Sequence, residues 1–67
     1  MITITLNGEK TTIKPKATVA DLLEDMGMNR EGIAVAIDQR VVPRSKHKTH
    51  TISENSRVEV IRAVGGG

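Results

Sequence analysis

Residues 1–15 read MITITLNGEKTTIKP, and this stretch decides the fold. From Ile2 to Leu6, apolar side chains alternate with threonine, which is the period of two that a half-buried strand shows. Asn7-Gly8 follows and favours a tight hairpin turn, because both turn residues need positive φ. A second alternating run covers residues 9–14 and ends at Pro15, since proline cannot donate to a strand ladder. The chain is therefore predicted to open with a β-hairpin.

One amphipathic helix is predicted after the hairpin. Thr18 is a typical N-cap residue, and Asp21 three positions later can complete a capping box. Gly27 is a plausible C-terminal stop. A helix of about nine residues is too short to be stable alone in water, so it must pack on the sheet. Its apolar stripe has the spacing i, i+3, i+4 and i+7 and consists of Val19, Leu22, Leu23 and Met26.

Residues 33–37 read IAVAI and predict a strand with one bulky and one smooth face. The three large side chains are expected to face the helix, whereas Ala34 and Ala36 lie on the opposite side. A turn at Asp38-Gln39 and a short strand at Val41-Val42 are expected next.

Residues 57–64 read RVEVIRAV and predict the last strand, but Ile61 breaks the alternation. Either a β-bulge resets the register, or Ile61 lies on the open face of the sheet, away from the helix. The second interpretation is favoured, because Arg62 and Val64 then continue the phase of the preceding valines.

The predicted fold class is α+β, a mixed four- to five-stranded sheet with one main helix packed on one face. The helical crossover after the hairpin is long enough to lead into a parallel pairing. Residues 1–64 are assigned to the domain, and residues 65–67 to a flexible C-terminal glycine tail.

Length and composition exclude several classes of function. A chain of 67 residues allows one small domain with little room for a deep substrate pocket. The absence of cysteine excludes disulfides and thiolate chemistry and fits a cytoplasmic location. The absence of aromatic residues removes base stacking, so nucleic acid is an unlikely partner. Neither a membrane-spanning stretch nor a signal-peptide pattern is recognised.

The net charge of +2 is mild, although the segment 44–50, RSKHKTH, is basic. Its histidines, His47 and His50, are candidate metal ligands, but no third ligand is close and the lysines repel a cation. Two solvated histidines in a loop are expected instead, and no metal site is predicted. The serines lack a base in a convincing arrangement, so the chain is not predicted to be an enzyme.

The sequence ends in Gly65-Gly66-Gly67. Glycine lacks Cβ, so such a tail can thread a channel that excludes all other residues. Its terminal carboxylate is ionised at neutral pH and can attack the α-phosphate of ATP where a partner supplies magnesium and positioning. The chain would then be a substrate and carrier. The alternative is an ordinary frayed tail.

Four stretches, in order, resemble the thiamine-biosynthesis sulfur carrier (ThiS-like) family: MITITLNGE, TVADLLEDMGM, IAVAIDQRVVPRS and RVEVIRAVGGG. The glycine end alone is shared with ubiquitin and the small subunit of molybdopterin synthase, whereas residues 41–45, VVPRS, are more specific. The resemblance implies a ubiquitin-like β-grasp fold. It also implies adenylation of the C-terminal glycine, conversion to a thiocarboxylate and delivery of the sulfur to thiazole synthase.

By this resemblance Gly67 carries the sulfur and Gly66 completes the terminal pair, while Gly65 occupies a variable position. The implied partners are an E1-like, ThiF-like adenylyltransferase, a ThiG-like thiazole synthase and a sulfur donor such as a cysteine desulfurase. ATP and magnesium are used by the activating enzyme, and no cofactor is expected on this chain. The sequence departs from the family at Asp38, where asparagine is expected, and at Asn55-Ser56, where Gly-Asp is usual.

Candidate docking residues are Ile61, Ala34 and Ala36 on the predicted open face, with Arg44 in the basic segment. Scattered apolar residues on an ordinary surface are the alternative. The same tail also suits a sulfur carrier for molybdopterin or cysteine synthesis, or a ubiquitin-like modifier that forms an amide with lysine. A non-covalent nucleic-acid or ribosome-binding module is a further hypothesis, and it predicts strongly salt-dependent binding that does not need the tail.

Overall fold

A computed structural model describes residues 1–28 and 32–62. The elements are β1 (Ile2–Leu6), β2 (Glu9–Ile13), α1 (Val19–Asp25), β3 (Ile33–Ile37), β4 (Arg40–Val42), a 3-10 helix (Arg44–Lys46) and β5 (Arg57–Arg62). The predicted hairpin, helix and later strands are therefore confirmed. The predicted domain boundary at residue 64 and the predicted tail at 65–67 lie outside the described residues.

The five strands form one mixed sheet in the order β2-β1-β5-β3-β4. β1 pairs antiparallel with β2 and parallel with β5, and β3 pairs antiparallel with β5 and β4. The expectation that the crossover leads directly into a parallel pairing is wrong. β3, the strand after the crossover, pairs only antiparallel in the described residues, and the parallel pair of the sheet is β1 with β5. A helical crossover sets only the direction of the next strand. The centre of the sheet is occupied by β5, whose Val58 and Val60 are both buried.

Both β-hairpins turn through two residues with positive φ, the geometry that matches the twist of paired strands. The φ angles are 49° at Asn7 and 85° at Gly8 in the first turn, and 51° at Asp38 and 71° at Gln39 in the second. Both turns lie where the sequence predicts them.

The predicted capping box of α1 is present. The Thr18 side-chain oxygen accepts the Asp21 N–H at 3.2 Å, and the Asp21 carboxylate accepts the Thr18 N–H at 3.0 Å. The hydrogen bond from the Thr18 backbone holds the pKa of the Asp21 carboxyl below its usual range. The helix ends earlier than predicted, after seven residues, because Met26 is its C-cap and Gly27 turns the chain with a φ of 69°.

The hydrophobic core lies between α1 and the sheet. Ile4, Val19, Val35 and Val58 are its most deeply buried members, so each of β1, α1, β3 and β5 contributes one. Met26 and Met28 are partly buried and pack against its edge. The complete set of buried apolar residues is Ile4, Ile13, Val19, Leu22, Leu23, Val35, Ile37, Val42, Ile52, Val58 and Val60.

The expectation of two solvated histidines is confirmed for His50 and wrong for His47. The His47 imidazole is only 8% exposed, and its Nε2 lies 3.1 Å from the carbonyl oxygen of Val42. The 3-10 helix, which the sequence pattern does not reveal, turns the chain back toward α1. There the His47 carbonyl accepts the Ala20 N–H at 2.8 Å, and the backbone places the ring inside.

Candidate functional site

β5 is the strand that leads to the C-terminal glycines, and it lies between β1 and β3 at the centre of the sheet. Its pairing with β3 runs from Ile33 opposite Arg62 to Ile37 opposite Val58. Within the described residues this ladder has no bulge, so Ile61 lies on the open face as predicted. Gly65, Gly66 and Gly67 lie outside the described residues.

The open face carries an apolar patch on three adjacent strands. Ala34 lies directly opposite Ile61, and Ala36 lies directly opposite Val41. Ile61 is 54% exposed and Val41 is 73% exposed. The structure thus brings together the predicted docking residues Ile61, Ala34 and Ala36. We call these three residues and Val41 the open-face patch.

The predicted docking residues do not include Val41, although the sequence Val41-Val42 indicates that it faces outward. Two consecutive valines in one strand must face opposite sides of the sheet. Val42 is buried beneath the helix layer, so Val41 must face outward. Its pairing with β3 then places it beside the alanines.

The other half of the open face is polar. In an antiparallel or parallel ladder, directly paired residues point to the same side of the sheet. The strand register therefore groups the threonines of β1 and β2 with charged residues at the margin of the open-face patch. The open-face patch is therefore bordered by polar residues on its β1 side. This polar half consists of Thr3, Thr5, Lys10, Thr12, Arg57 and Glu59.

Arg44, the fourth predicted docking residue, is exposed but belongs to a different part of the surface. It begins the 3-10 helix, and the segment that follows is bonded to the start of α1. The His50 carbonyl accepts the Val19 N–H at 3.0 Å. The structure therefore does not bring Arg44 onto the strand face that carries Ile61.

Metal binding receives no structural support from the residues described. Among residues 1–28 and 32–62, no group of three His, Cys, Asp or Glu side chains could hold a metal ion. No helix in the same ranges is long and apolar enough to cross a membrane. The candidate functional surface is the open-face patch, which includes Ile61 on the strand that leads to the glycines.

The sequence model of the ThiS family matches residues 4–67, which includes all three terminal glycines. The chain belongs to the ThiS family. Members of this family are the sulfur carriers of thiamine biosynthesis, so the family resemblance seen in the sequence is confirmed.

Two ThiS proteins are similar to this chain over most of their length. The sulfur carrier protein ThiS of Escherichia coli is 32% identical over 50 residues, which cover 75% of this chain and 76% of that protein. The crystal structure of the thiamine biosynthesis protein ThiS from Geobacter metallireducens superposes with a TM-score of 0.85 at 25% identity. The alignment covers 98% of this chain and 100% of that one. The predicted ubiquitin-like β-grasp fold is confirmed.

A longer relative is also similar to this ThiS-family chain. The thiazole synthase of Paramagnetospirillum magneticum is 27% identical over 64 residues, or 96% of this chain. This chain spans only 20% of the length of that protein.

Proposed function

We propose that this ThiS-family sulfur carrier works through the terminal carboxylate of Gly67. The family match carries the proposal, because it runs through Gly67 and includes the glycine end. The folded domain then presents and orients the carboxylate, while an E1-like, ThiF-like adenylyltransferase supplies the catalytic groups, ATP and magnesium. The cysteine-free composition is compatible with a reducing compartment, and we propose that the reaction takes place in the cytoplasm.

The first step of the proposed chemistry is adenylation. A carboxylate oxygen of Gly67 attacks the α-phosphorus of ATP, the bond between the α- and β-phosphates breaks, and pyrophosphate leaves. The product is an acyl-adenylate, a mixed anhydride whose carbonyl carbon is open to nucleophiles. Glycine suits this step because it has no side chain to obstruct a narrow enzyme channel.

The second step replaces oxygen by sulfur. A hydrosulfide ion attacks the carbonyl carbon and loses its proton; where the donor is a cysteine desulfurase, a thiol reductant first supplies the two electrons that release its persulfide sulfur as hydrosulfide. The bond from carbon to the phosphate oxygen breaks, AMP leaves, and the thiocarboxylate remains without any change of oxidation state. We propose that a ThiG-like thiazole synthase accepts this sulfur. The similarity of nearly the whole chain to part of a thiazole synthase supports that partnership.

The open-face patch is our proposed docking surface for the activating enzyme. It presents exposed apolar side chains with a polar border on the β1 side, and Ile61 lies on the same strand that leads to the glycines. Docking there would place the glycine end near the partner without covering it. Arg44 is proposed only as a steering charge for an acidic partner, since it lies away from the patch.

The test of the carboxylate chemistry is intact mass after incubation with ATP, magnesium, a sulfide source and the E1-like enzyme. Exchange of oxygen for sulfur changes the mass almost as much as oxidation of one of the three methionines. The product is therefore also treated with a thiol-alkylating reagent, which this cysteine-free chain accepts only through a thiocarboxylate. We expect an alkylated C-terminal fragment, and none when Gly66 and Gly67 are both deleted, because deletion of Gly67 alone would leave a Gly-Gly end.

Two results would contradict this proposal. If an active E1-like enzyme gives neither the adenylate nor the alkylated fragment, the proposed carrier chemistry is wrong. A ladder of higher-mass conjugates without the alkylated fragment would instead indicate a protein modifier, whose activated carboxylate reacts with an amine.

The docking surface is tested separately by Ile61→Asp. A charge in place of this exposed apolar side chain should lower kcat/KM for adenylation about 10-fold or more, as loss of an apolar interface anchor does. Thr12→Asp is the matched control, because it adds the same charge to the polar half of the same face. Unchanged kinetics in a folded Ile61→Asp protein would show that the activating enzyme does not dock on the patch.

A further inference from the structure

β5 is paired unequally on its two sides. β3 accompanies it from Val58 to Arg62, whereas β1 pairs with it only at Thr5 opposite Arg57 and Leu6 opposite Val58. β1 ends at Leu6 and the chain turns away. In the described part of the chain, the later half of β5 therefore has a strand neighbour on one side only.

Asn7 takes the place of the missing strand residues. Its backbone N–H donates to the Val58 carbonyl at 2.9 Å, and its side-chain Oδ1 accepts the Val60 N–H at 2.9 Å. The side-chain bond joins residues 53 apart in sequence. Val60 is a buried core residue, so its N–H would otherwise lack a partner at a costly position. The Asn7 side-chain oxygen thus accepts the hydrogen bond that a backbone carbonyl would accept if β1 were longer.

The turn favours asparagine at this position, but it does not require it. Asn7 has a φ of 49°, which glycine also adopts without strain. A glycine here would form the same hairpin turn but would leave the Val60 N–H without its acceptor. The choice of asparagine therefore serves both the turn and the strand that leads to the sulfur-carrying end.

We propose that Asn7 is a positioning residue for the carrier's C-terminal end, an inference that rests on the proposed function. By holding Val60, Asn7 fixes the β1 side of the later half of β5, the strand from which the chain continues toward the glycines. Ile61 in the docking patch is the next residue, so the patch and the end of β5 at Arg62 keep a fixed relation to each other. An activating enzyme must hold the patch while it reacts with the glycine that follows this strand in the sequence. A displacement of about 1 Å at a reacting group can cost up to about 100-fold in rate.

The variants Asn7→Gly and Asn7→Asp test this role. Asn7→Gly keeps the turn but removes the acceptor, whereas Asn7→Asp keeps both. For Asn7→Gly we expect kcat of adenylation to fall about 10-fold while KM for the carrier stays within about twofold, because the patch is intact. Asn7→Asp should retain nearly the wild-type kcat.

Thr18→Ala is the control for stability. It removes the N-cap of α1, far in sequence from β5, and destabilises the domain without touching the Asn7 bond. It should leave both kcat and KM unchanged at temperatures where all variants are folded. Hydrogen exchange gives a second readout that needs no enzyme: the Val60 amide should exchange about 10-fold faster in Asn7→Gly but not in Asn7→Asp.

The failures of the two proposals are distinguishable. If wild-type protein is not adenylated, the proposed function fails, and unchanged Val60 exchange in Asn7→Gly would also overturn the role of Asn7. If wild-type protein is adenylated and folded Asn7→Gly has the same kcat, positioning by Asn7 is wrong. An equal kcat loss in Thr18→Ala would also overturn it, since stability alone would then explain the effect.

Discussion

The two hairpin turns of this molecule have the same backbone geometry and a similar task. In each, the first residue has positive φ and uses both its N–H and its Oδ1 to bind β5. Asn7 binds Val58 and Val60, while Asp38 donates its N–H to the Arg57 carbonyl at 2.8 Å and accepts the Arg57 N–H at 2.9 Å. One turn extends the β1 side of β5, and the other extends its β3 side.

The turns differ at their second position. Gly8 adopts its φ of 85° without strain, whereas Gln39 holds a φ of 71° that costs a side-chain-bearing residue about 1–2 kcal/mol. A turn of this type therefore does not need glycine when the flanking strands are already paired. The residues of the first turn therefore favour its geometry by themselves. The second turn is held in the same geometry by the pairing of the strands around it.

The largest expected effect is from Gly8→Ala. A Cβ at this position would meet nothing within 4 Å, so the change tests only the backbone. We expect a loss of about 1–2 kcal/mol in the free energy of unfolding, measured by urea denaturation. Gln39→Ala is the matched control and should be nearly neutral, because Gln39 already bears this strain. Equal losses at both positions would show that the turns do not differ in this way.

Gln39→Gly should have the opposite sign. It removes the left-handed strain at the second turn but adds the entropy cost of glycine, which leaves a net gain of about 0.5–1 kcal/mol. Thermal unfolding should show this as a higher Tm, with Gln39→Asn between wild type and glycine. A lower Tm for Gln39→Gly would mean that the Gln39 side chain contributes contacts that outweigh its backbone strain.

Asp38→Gly should have the smallest effect. It permits the positive φ but removes the acceptor of the Arg57 N–H, a group at an exposed residue that water can satisfy. We expect a loss of about 0.5 kcal/mol in urea denaturation. Asp38→Asn keeps the acceptor and should match wild type. A loss as large as that of Gly8→Ala would show that the second turn holds β5 more firmly than its exposure suggests.

The features that the sequence predicts correctly are those carried by neighbouring residues. Asn7-Gly8 identifies its turn, Thr18 and Asp21 identify the start of α1, and the phase change at Ile61 identifies an outward side chain. Each depends on a spacing of four residues or fewer, which the local backbone converts directly into structure.

The features that it does not predict depend on contacts between distant residues. Nothing in the sequence near β3 shows that the parallel partner of β1 is β5 and not β3. His47 is polar and lies in a basic segment, yet its burial depends on a bond from its carbonyl to Ala20. The bond between Asn7 and Val60 is the extreme case, since neither residue's neighbours indicate the other.

The parallel pairing of β1 with β5 also determines the order in which this protein can fold. The hairpins β1-β2 and β3-β4 are local and can form as soon as each is synthesised, but the ladders at the centre of the sheet need β5. Closing so long a loop is slow compared with forming a hairpin. The sheet is therefore completed from its edges inward. On the ribosome, the open-face patch and the strand that leads to the C-terminal glycines would be assembled only at the last stage of folding.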